Sequence, residues 1–347
     1  MLELICPKCQ QSLNNLGRQW LCANNHSYDQ ARQGYLNLLL VQHKNSRQPG
    51  DTPAMLSCRQ GFLDAGHYQP VSDAINRSLL QLAPQTILDM GCGEGYYTAR
   101  LASALPEAQI GGLDISKDAI IRATRRSRRL RWLVASTARL PVAGASLDAL
   151  LSVFSPWSWD ECLRTLKPNG HLVLVGPHAD HLRSLRAALY DEVHATPDLL
   201  KEQPEGVRVV SDETLRYPLE LEPADMANLI GMTPHSLRSS PERRDLLQSN
   251  LEAQQLTIEA RLRPEGAPGP PGRGRAGRRG PAGTGAHRGR RRAVAVATPP
   301  RDGSGSGRGG GDPHGARARP HPAVRLSGPR ARVEACPDAR GHAGMRS

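Results

Sequence analysis

No stretch of this sequence approaches the roughly 20 consecutive apolar residues that span a bilayer. The longest runs, such as Leu147 to Phe154, are short and interrupted, so no transmembrane helix and no membrane partner are expected. The N-terminus, Met1-Leu-Glu-Leu-Ile-Cys6, lacks the basic region and apolar core of a secretory signal. Cysteine is sparse, 7 in 347 residues, too few for a disulfide scaffold, and a reducing cytoplasm is the expected compartment. Aromatic residues make up 4 % of the chain and all precede Glu265. From Glu265 onward Lys, Asn, Gln, Ile, Phe, Tyr and Trp are absent and Leu occurs once, while the segment holds 17 Arg and 19 of the 34 Gly. Such a segment cannot bury enough apolar surface to offset the entropy lost on folding.

The formal net charge is +12, and residues 265–347, with 5 acidic side chains against those arginines, carry all of it. Residues 1–264 are neutral, with 28 charges of each sign. An ordered body of about 260 residues has room for a small module and one α/β domain. The expected segments are a zinc-binding module over 1–40, a linker and helical stretch over 41–84, an α/β domain over 85–264 and a disordered tail over 265–347. The tail reads either as an Arg/Gly-rich RNA-binding extension or, in the preferred reading, as the out-of-frame translation of a GC-rich gene.

What the sequence does hold begins with Cys6-Pro-Lys-Cys9 and Cys22-Ala-Asn-Asn-His26, a C-x2-C-x12-C-x3-H pattern. Two tight turns of this kind aim three thiolates and one imidazole at a common point, the tetrahedral set of structural zinc. No position is left open for chemistry, and metal binding would fold a segment too small for a core of its own. The alternative is four unconnected residues at a coincidental spacing. After it, Gln42 to Asp51 is polar with a Pro-Gly break and reads as a loop, where Lys44 and Arg47 either meet an acidic ligand or are simply solvated. Thr52 to Leu82 has helical periodicity, interrupted at Gly66 to Pro70.

From Gln85 the pattern alternates. Strands are expected at 86–90, 109–115, 131–135, 147–154 and 171–176, with helices at 96–104, 117–127 and 159–166. Repeated βα units imply a mostly parallel, Rossmann-like sheet with helices on both faces. Farther on come a helix over 181–193, strands over 207–210 and 214–221, helices over 223–231 and 241–248, and a closing strand over 256–262.

The first strand leads into Asp89-Met-Gly91-Cys-Gly93-Glu-Gly95, a glycine loop that lets a ligand approach the backbone, and the second ends in Asp114, placed to bind ribose hydroxyls. Nicotinamide dinucleotides and S-adenosylmethionine share this layout. A pyrophosphate favours G-x-G-x-x-G, whereas here the third glycine comes one position early and Glu94 sits inside the loop, so S-adenosylmethionine is the expected cofactor.

With these motifs in order, the chain resembles the RlmA/TlrB family of bacterial 23S rRNA (guanine-N1)-methyltransferases as far as about Arg263. The likeness is carried by the Cys/His set, Gly34-Tyr-Leu-Asn-Leu-Leu39, Val41-Gln-His-Lys44, Phe62-Leu-Asp-Ala-Gly-His-Tyr-Gln-Pro70 and Leu88 to Thr98. The resemblance implies a class I S-adenosylmethionine-dependent methyltransferase domain behind a zinc module, a 23S rRNA hairpin as substrate and a homodimer. It implies zinc on Cys6, Cys9, Cys22 and His26, and cofactor contacts from Tyr68, Gly91, Gly93, Glu94, Asp114 and His181, with His178 the alternative to His181. Phe154-Ser-Pro-Trp-Ser-Trp159 stands where many amino-methylating enzymes carry Asn/Asp-Pro-Pro-aromatic, compatible with a ring nitrogen as acceptor.

Trp157 and Trp159 are open to two readings, stacking on a flipped base or core; Tyr96 and Tyr97 read as packing, and His67 as a pocket or structural residue. For RNA contact, Lys8, Arg18 and Arg32 of the module rank above the cluster from Arg122 to Arg131, because basic helix faces are usually solvated. The competing functions are an assembly factor with an inactive methyltransferase fold, a small-molecule methyltransferase and a nicotinamide oxidoreductase.

Overall fold

Alternate residues of the strands face opposite sides, and in this chain both sides are apolar. The computed structural model describes residues 2–43, 49–190, 203–233, 242 and 254–269; Lys44, Arg47, most of the helix expected over 241–248 and the chain from 270 onward lie outside the described residues. The N-terminal module is a three-stranded antiparallel sheet of β1 (Leu13–Asn15), β2 (Gln19–Cys22) and β3 (Ser27–Asp29). The main sheet runs in the order β10 (Arg208–Val209), β12 (Gln254–Gly266), β9 (Leu166–Pro177), β8 (Leu147–Val153), β5 (Thr86–Met90), β6 (Gln109–Asp114), β7 (Arg131–Val134), β4 (Leu36–Asn37), with β11 (Glu213–Leu221) also paired to β12. From β4 to β9 neighbours are parallel, and β12 is antiparallel to all three of its partners.

One face of this sheet presents Ile87, Ala149, Leu151 and Val173 to α1 (Pro53–Asp64), α2 (Gln69–Leu82), α3 (Tyr96–Ala104) and α7 (Pro223–Met232). The other presents Leu88, Met90, Leu113, Leu150 and Leu172, which share one apolar cluster with Leu2, Leu4, Cys6, Trp20 and Cys22 of the module and with Cys162 of the short α5 (Trp159–Thr165). The module therefore covers sheet surface that a helix would otherwise bury, and its own β4 extends the sheet beside β7. The helices expected on both faces are unevenly divided for this reason.

Local chemistry sets the element ends. Thr52 Oγ1 accepts from Met55 N ahead of Pro53 at the start of α1, and Ser116 Oγ from Ala119 N at the start of α4 (Lys117–Arg126). With Asp118 in its first turn and Arg125 and Arg126 in its last, α4 has charges that favour its dipole at both ends. Tyr68 occupies the cap position of α2 without a side-chain capping bond, which leaves its hydroxyl for a tertiary partner. Three boundaries differ most from expectation, one of them β9, which begins at Leu166 where 171 was expected. The helix α6 (Arg183–Leu189) begins after His181, and β12 runs on through Glu265 and Gly266, which pair with Leu172 and His171. The Glu265 carboxylate is fully buried against Arg263 Nε at 3.1 Å and takes a hydrogen bond from Gln203; composition averaged over a window does not register two residues held by a specific ion pair.

Candidate cofactor pocket and metal centre

The ligand atoms of Cys6, Cys9, Cys22 and His26 all lie within 4.8 Å of one another. Sγ of Cys9 and Cys22 are 3.6 Å apart, and His26 Nδ1 lies 3.4 Å from Cys6 Sγ and 3.5 Å from Cys22 Sγ. Ligands about 2.1–2.3 Å from a tetrahedral zinc are separated by edges of roughly 3.5–3.8 Å, so the four residues fit zinc, with Nδ1 as the ligating nitrogen. Tyr28 OH lies 3.2 Å from Cys6 Sγ. Burial pushes the Cys6 thiol up, but the Tyr28 hydroxyl and the Cys9 and Lys8 amides outweigh it and bring it down to about 6, which favours the thiolate that a metal needs.

At the carboxyl ends of β5 and β6 the backbone turns through Gly91, at φ 71°. A Cβ there would stand 1.8 Å from Ser155 Oγ, so both space and conformation require glycine. Gly95, at φ 82°, is likewise closed by Trp132, whose ring would lie 2.6 Å from a Cβ. At Gly93, itself buried and at φ 57°, a Cβ would make ordinary contact with Arg59 Nη1 at 3.6 Å, so the turn needs glycine here for its conformation. Asp114 is oriented by two amides: Gly93 N donates to Oδ2 at 3.0 Å and Ser116 N to Oδ1 at 2.7 Å. A positive-φ glycine turn beside an anchored carboxylate fits the amino-acid and ribose ends of S-adenosylmethionine.

The structure brings Tyr68 and His181 together, from residues 113 apart in sequence, with Tyr68 OH 3.3 Å from His181 Nε2. His181 Nδ1 lies 3.1 Å from the Glu259 carbonyl oxygen and 3.4 Å from the Glu259 amide N; with Nδ1–H donating along the shorter contact, Nε2 accepts from the phenol. Burial holds the Tyr68 phenol well above its usual range, so it acts as a donor. His178 instead faces the Glu259 carboxylate at 3.0 Å. Glu94 is buried and its carboxylate turns to Arg126, 3.4 Å away, which also bonds its carbonyl and Asp64. The charge that sequence reasoning set against a pyrophosphate is thus partly offset within the protein.

Two neighbours of this pocket were given no contact with it from sequence, although Phe154 opens the segment compared there with the amino-methylating motif. Phe154 takes a left-handed φ of 51°, rare for a bulky residue, and its ring lies 5.8 Å from Tyr68 and 5.6 Å from His181. Arg59 lies over Gly93 and pairs with Asp51. Neither contact has a local signature, since the first depends on strand-end strain and the second on a helix docking. Trp157 and Trp159 stack edge to face at 4.8 Å and pack on the module side of the sheet, and His67 pairs with Asp225 at 2.9 Å.

Asp89, the acid that opens the glycine motif, is buried and accepts from Thr98 Oγ1 at 2.6 Å. Burial pushes its carboxyl up to about 7; the Thr98 bond offsets this in part, and Asp114 and Glu94 add to it. A folded value above the unfolded one of about 4 means that stability is full below pH 4, declines as pH rises toward 7 and is lost above it, by at most about 4 kcal/mol. Asp89→Asn is expected to remove this decline and melt higher than the wild type at pH 8, with the gap closing toward pH 5. Melting curves of the two proteins that stay parallel from pH 5 to 8 would count against it.

Comparison with known proteins agrees with this arrangement. Residues 4–47 match the family described as RlmA, N-terminal, and residues 87–170 match the family described as Methyltransferase domain. The chain is 33 % identical over 247 residues to a 23S rRNA (guanine(748)-N(1))-methyltransferase of Streptomyces fradiae, covering 69 % of this chain and 87 % of the relative. It is 34 % identical over 275 residues to a putative 23S rRNA (guanine-N(1)-)-methyltransferase of Micromonospora griseorubida, covering 70 % and 89 %. A further relative, YxjB of Bacillus subtilis, bears the same putative name and is 31 % identical over 265 residues, covering 73 % and 93 %. A zinc ribbon whose four ligands converge, joined through a shared core to a methyltransferase sheet in a chain this similar to those enzymes, places the protein in the RlmA family of 23S rRNA (guanine-N1)-methyltransferases.

Proposed function

We propose that the protein methylates N1 of a guanine in a 23S rRNA hairpin, as a cytoplasmic homodimer, and that Tyr68, Gly91, Gly93, Glu94, Asp114 and His181 form its cofactor site. The observation that carries the reading is the Asp114 carboxylate fixed by the Gly93 and Ser116 amides beside the positive-φ glycine turn, in a chain that also holds the ribbon. S-adenosylmethionine supplies an electrophilic methyl on a sulfonium. The residues have to orient it, exclude water and align the acceptor. Asp114 would take the ribose hydroxyls, and the Gly91–Gly95 backbone would accommodate the amino-acid end. Tyr68, Phe154 and His181 form an aromatic wall suited to a flipped base, with the Tyr68 proton held by His181 Nε2.

The test is methyl transfer from labelled S-adenosylmethionine to unmodified 23S rRNA by the full chain, followed by nucleoside analysis. Labelled 1-methylguanosine is the expected product. Cofactor binding without transfer to RNA would instead favour an assembly factor with an inactive site. Sedimentation at micromolar concentration tests the dimer.

A further inference from the structure

Between the zinc ribbon and the C-terminal end of α4 runs an open groove of about 660 Å³. Asn15 and the Gln30–Gly34 turn form one wall, and the last turn of α4 with the segment to Arg131 forms the other. Five arginines line it, Arg32, Arg125, Arg128, Arg129 and Arg131, and no carboxylate does. The basic cluster of α4 therefore divides. Arg122 bonds Gln60, Ser57 and the Pro53 carbonyl, and Arg126 pairs with Asp64 and Glu94; both hold the protein together. Arg131 is half-buried over the Trp20 ring, 4.9 Å from its centroid, and ties the ribbon to the sheet. Arg32, Arg125, Arg128 and Arg129 are exposed and form no ion pair with a described residue.

We infer that this groove grips the phosphate backbone of the RNA stem next to the methylated nucleotide, an inference that rests on the rRNA reading above. Four like charges in one concavity repel each other in the free protein, and a polyanion relieves that repulsion while releasing its own counterions. Guanidinium forks match phosphate oxygens two at a time. The neutral amides of Asn15, Gln30 and Gln33 between them suit sugar hydroxyls. The groove sits at one end of α4 and Asp114 at the other, and ten helical residues span about 15 Å. A stem held at the groove thus lies a few nucleotides from the cofactor pocket, close enough for one base to be extruded into it. On this inference Arg32 of the ribbon and the helix cluster, ranked apart from sequence, line one surface.

The experiment compares the full-length wild type with the triple variant Arg125→Gln, Arg128→Gln, Arg129→Gln in binding to unmodified 23S rRNA across a series of salt concentrations. The arginines after residue 264 are common to both proteins and cancel in the difference. For duplex contacts the slope of log K against log salt should become less steep by about 0.9 per phosphate lost, about two to three in total, with the KM for rRNA rising at least tenfold. Arg77→Gln, at an exposed arginine outside the groove, should change neither. An S-adenosylmethionine titration that matches the wild type shows the triple variant to be folded. An unchanged slope and KM overturn the inference, and so does an equal loss of affinity for polyglutamate, which would point to an acidic protein. Absence of methyl transfer by the wild type would refute the proposed function separately, since the salt slope is read without catalysis.

Discussion

Asp114→Ala is expected to raise the dissociation constant for S-adenosylmethionine by about 300- to 4,000-fold. The side chain has two tasks. Toward the ligand, a carboxylate accepting from ribose hydroxyls contributes on the order of 1.5–3 kcal/mol. Toward the protein, Oδ2 accepts from Gly93 N at 3.0 Å and Oδ1 from Ser116 N at 2.7 Å. Removing it strands two amides in a half-buried site and loosens the glycine loop, each at roughly 1 kcal/mol or more, and every 1.4 kcal/mol is tenfold in affinity. Asp114→Asn retains one acceptor oxygen and should fall between the two. Equilibrium titration decides this, and an Ala variant that binds like the wild type would move the ribose contact to another residue.

Cys22→Ser should release the zinc and lower the melting temperature of the whole ordered body by roughly 5–10 °C. Cys22 is buried, with its sulfur 3.6 Å from Cys9 Sγ and 3.5 Å from His26 Nδ1. Structural zinc contributes folding free energy outright, about 10–16 kcal/mol in isolated zinc-finger peptides. Here the effect is not confined to the ribbon, because Trp20 and Cys22 share a cluster with Leu88, Met90 and Leu113 of the sheet. Loosening the ribbon uncovers those residues, and a few kcal/mol lost from a domain of this size shifts melting by 2–4 °C per kcal/mol. Zinc content and a thermal melt are read on the same sample. Retained zinc would refute the ligand set; zinc lost with an unchanged melt would mean that the ribbon packs without it.

The metal ligands were legible in the sequence because two short spacings fix which side chains share a turn, and the structure closes those turns on one point. The strands from Thr86 to Val153 and the loop between Gly91 and Gly95 were legible for a similar reason: buried parallel strands leave apolar runs, and a strand-to-helix turn at positive φ demands glycine. The meeting of Tyr68 with His181 across 113 residues left no local trace. Phe154 was legible as the start of the segment after the fourth strand, but its approach to Tyr68 and His181 follows from a strained φ at the end of β8.

Spacing along the chain was enough to show which four residues can hold a metal, where glycines turn the backbone after the first strand, and that the excess positive charge lies beyond residue 264. How those parts combine was set by packing between elements. It laid the ribbon on an apolar sheet face, turned Glu94 toward Arg126, and set Arg32 opposite Arg125, Arg128 and Arg129 across one groove. The physical reason is that spacing along a chain fixes contacts within a turn or a strand, whereas contacts between elements are fixed by which apolar faces must be buried together, and that depends on the whole fold.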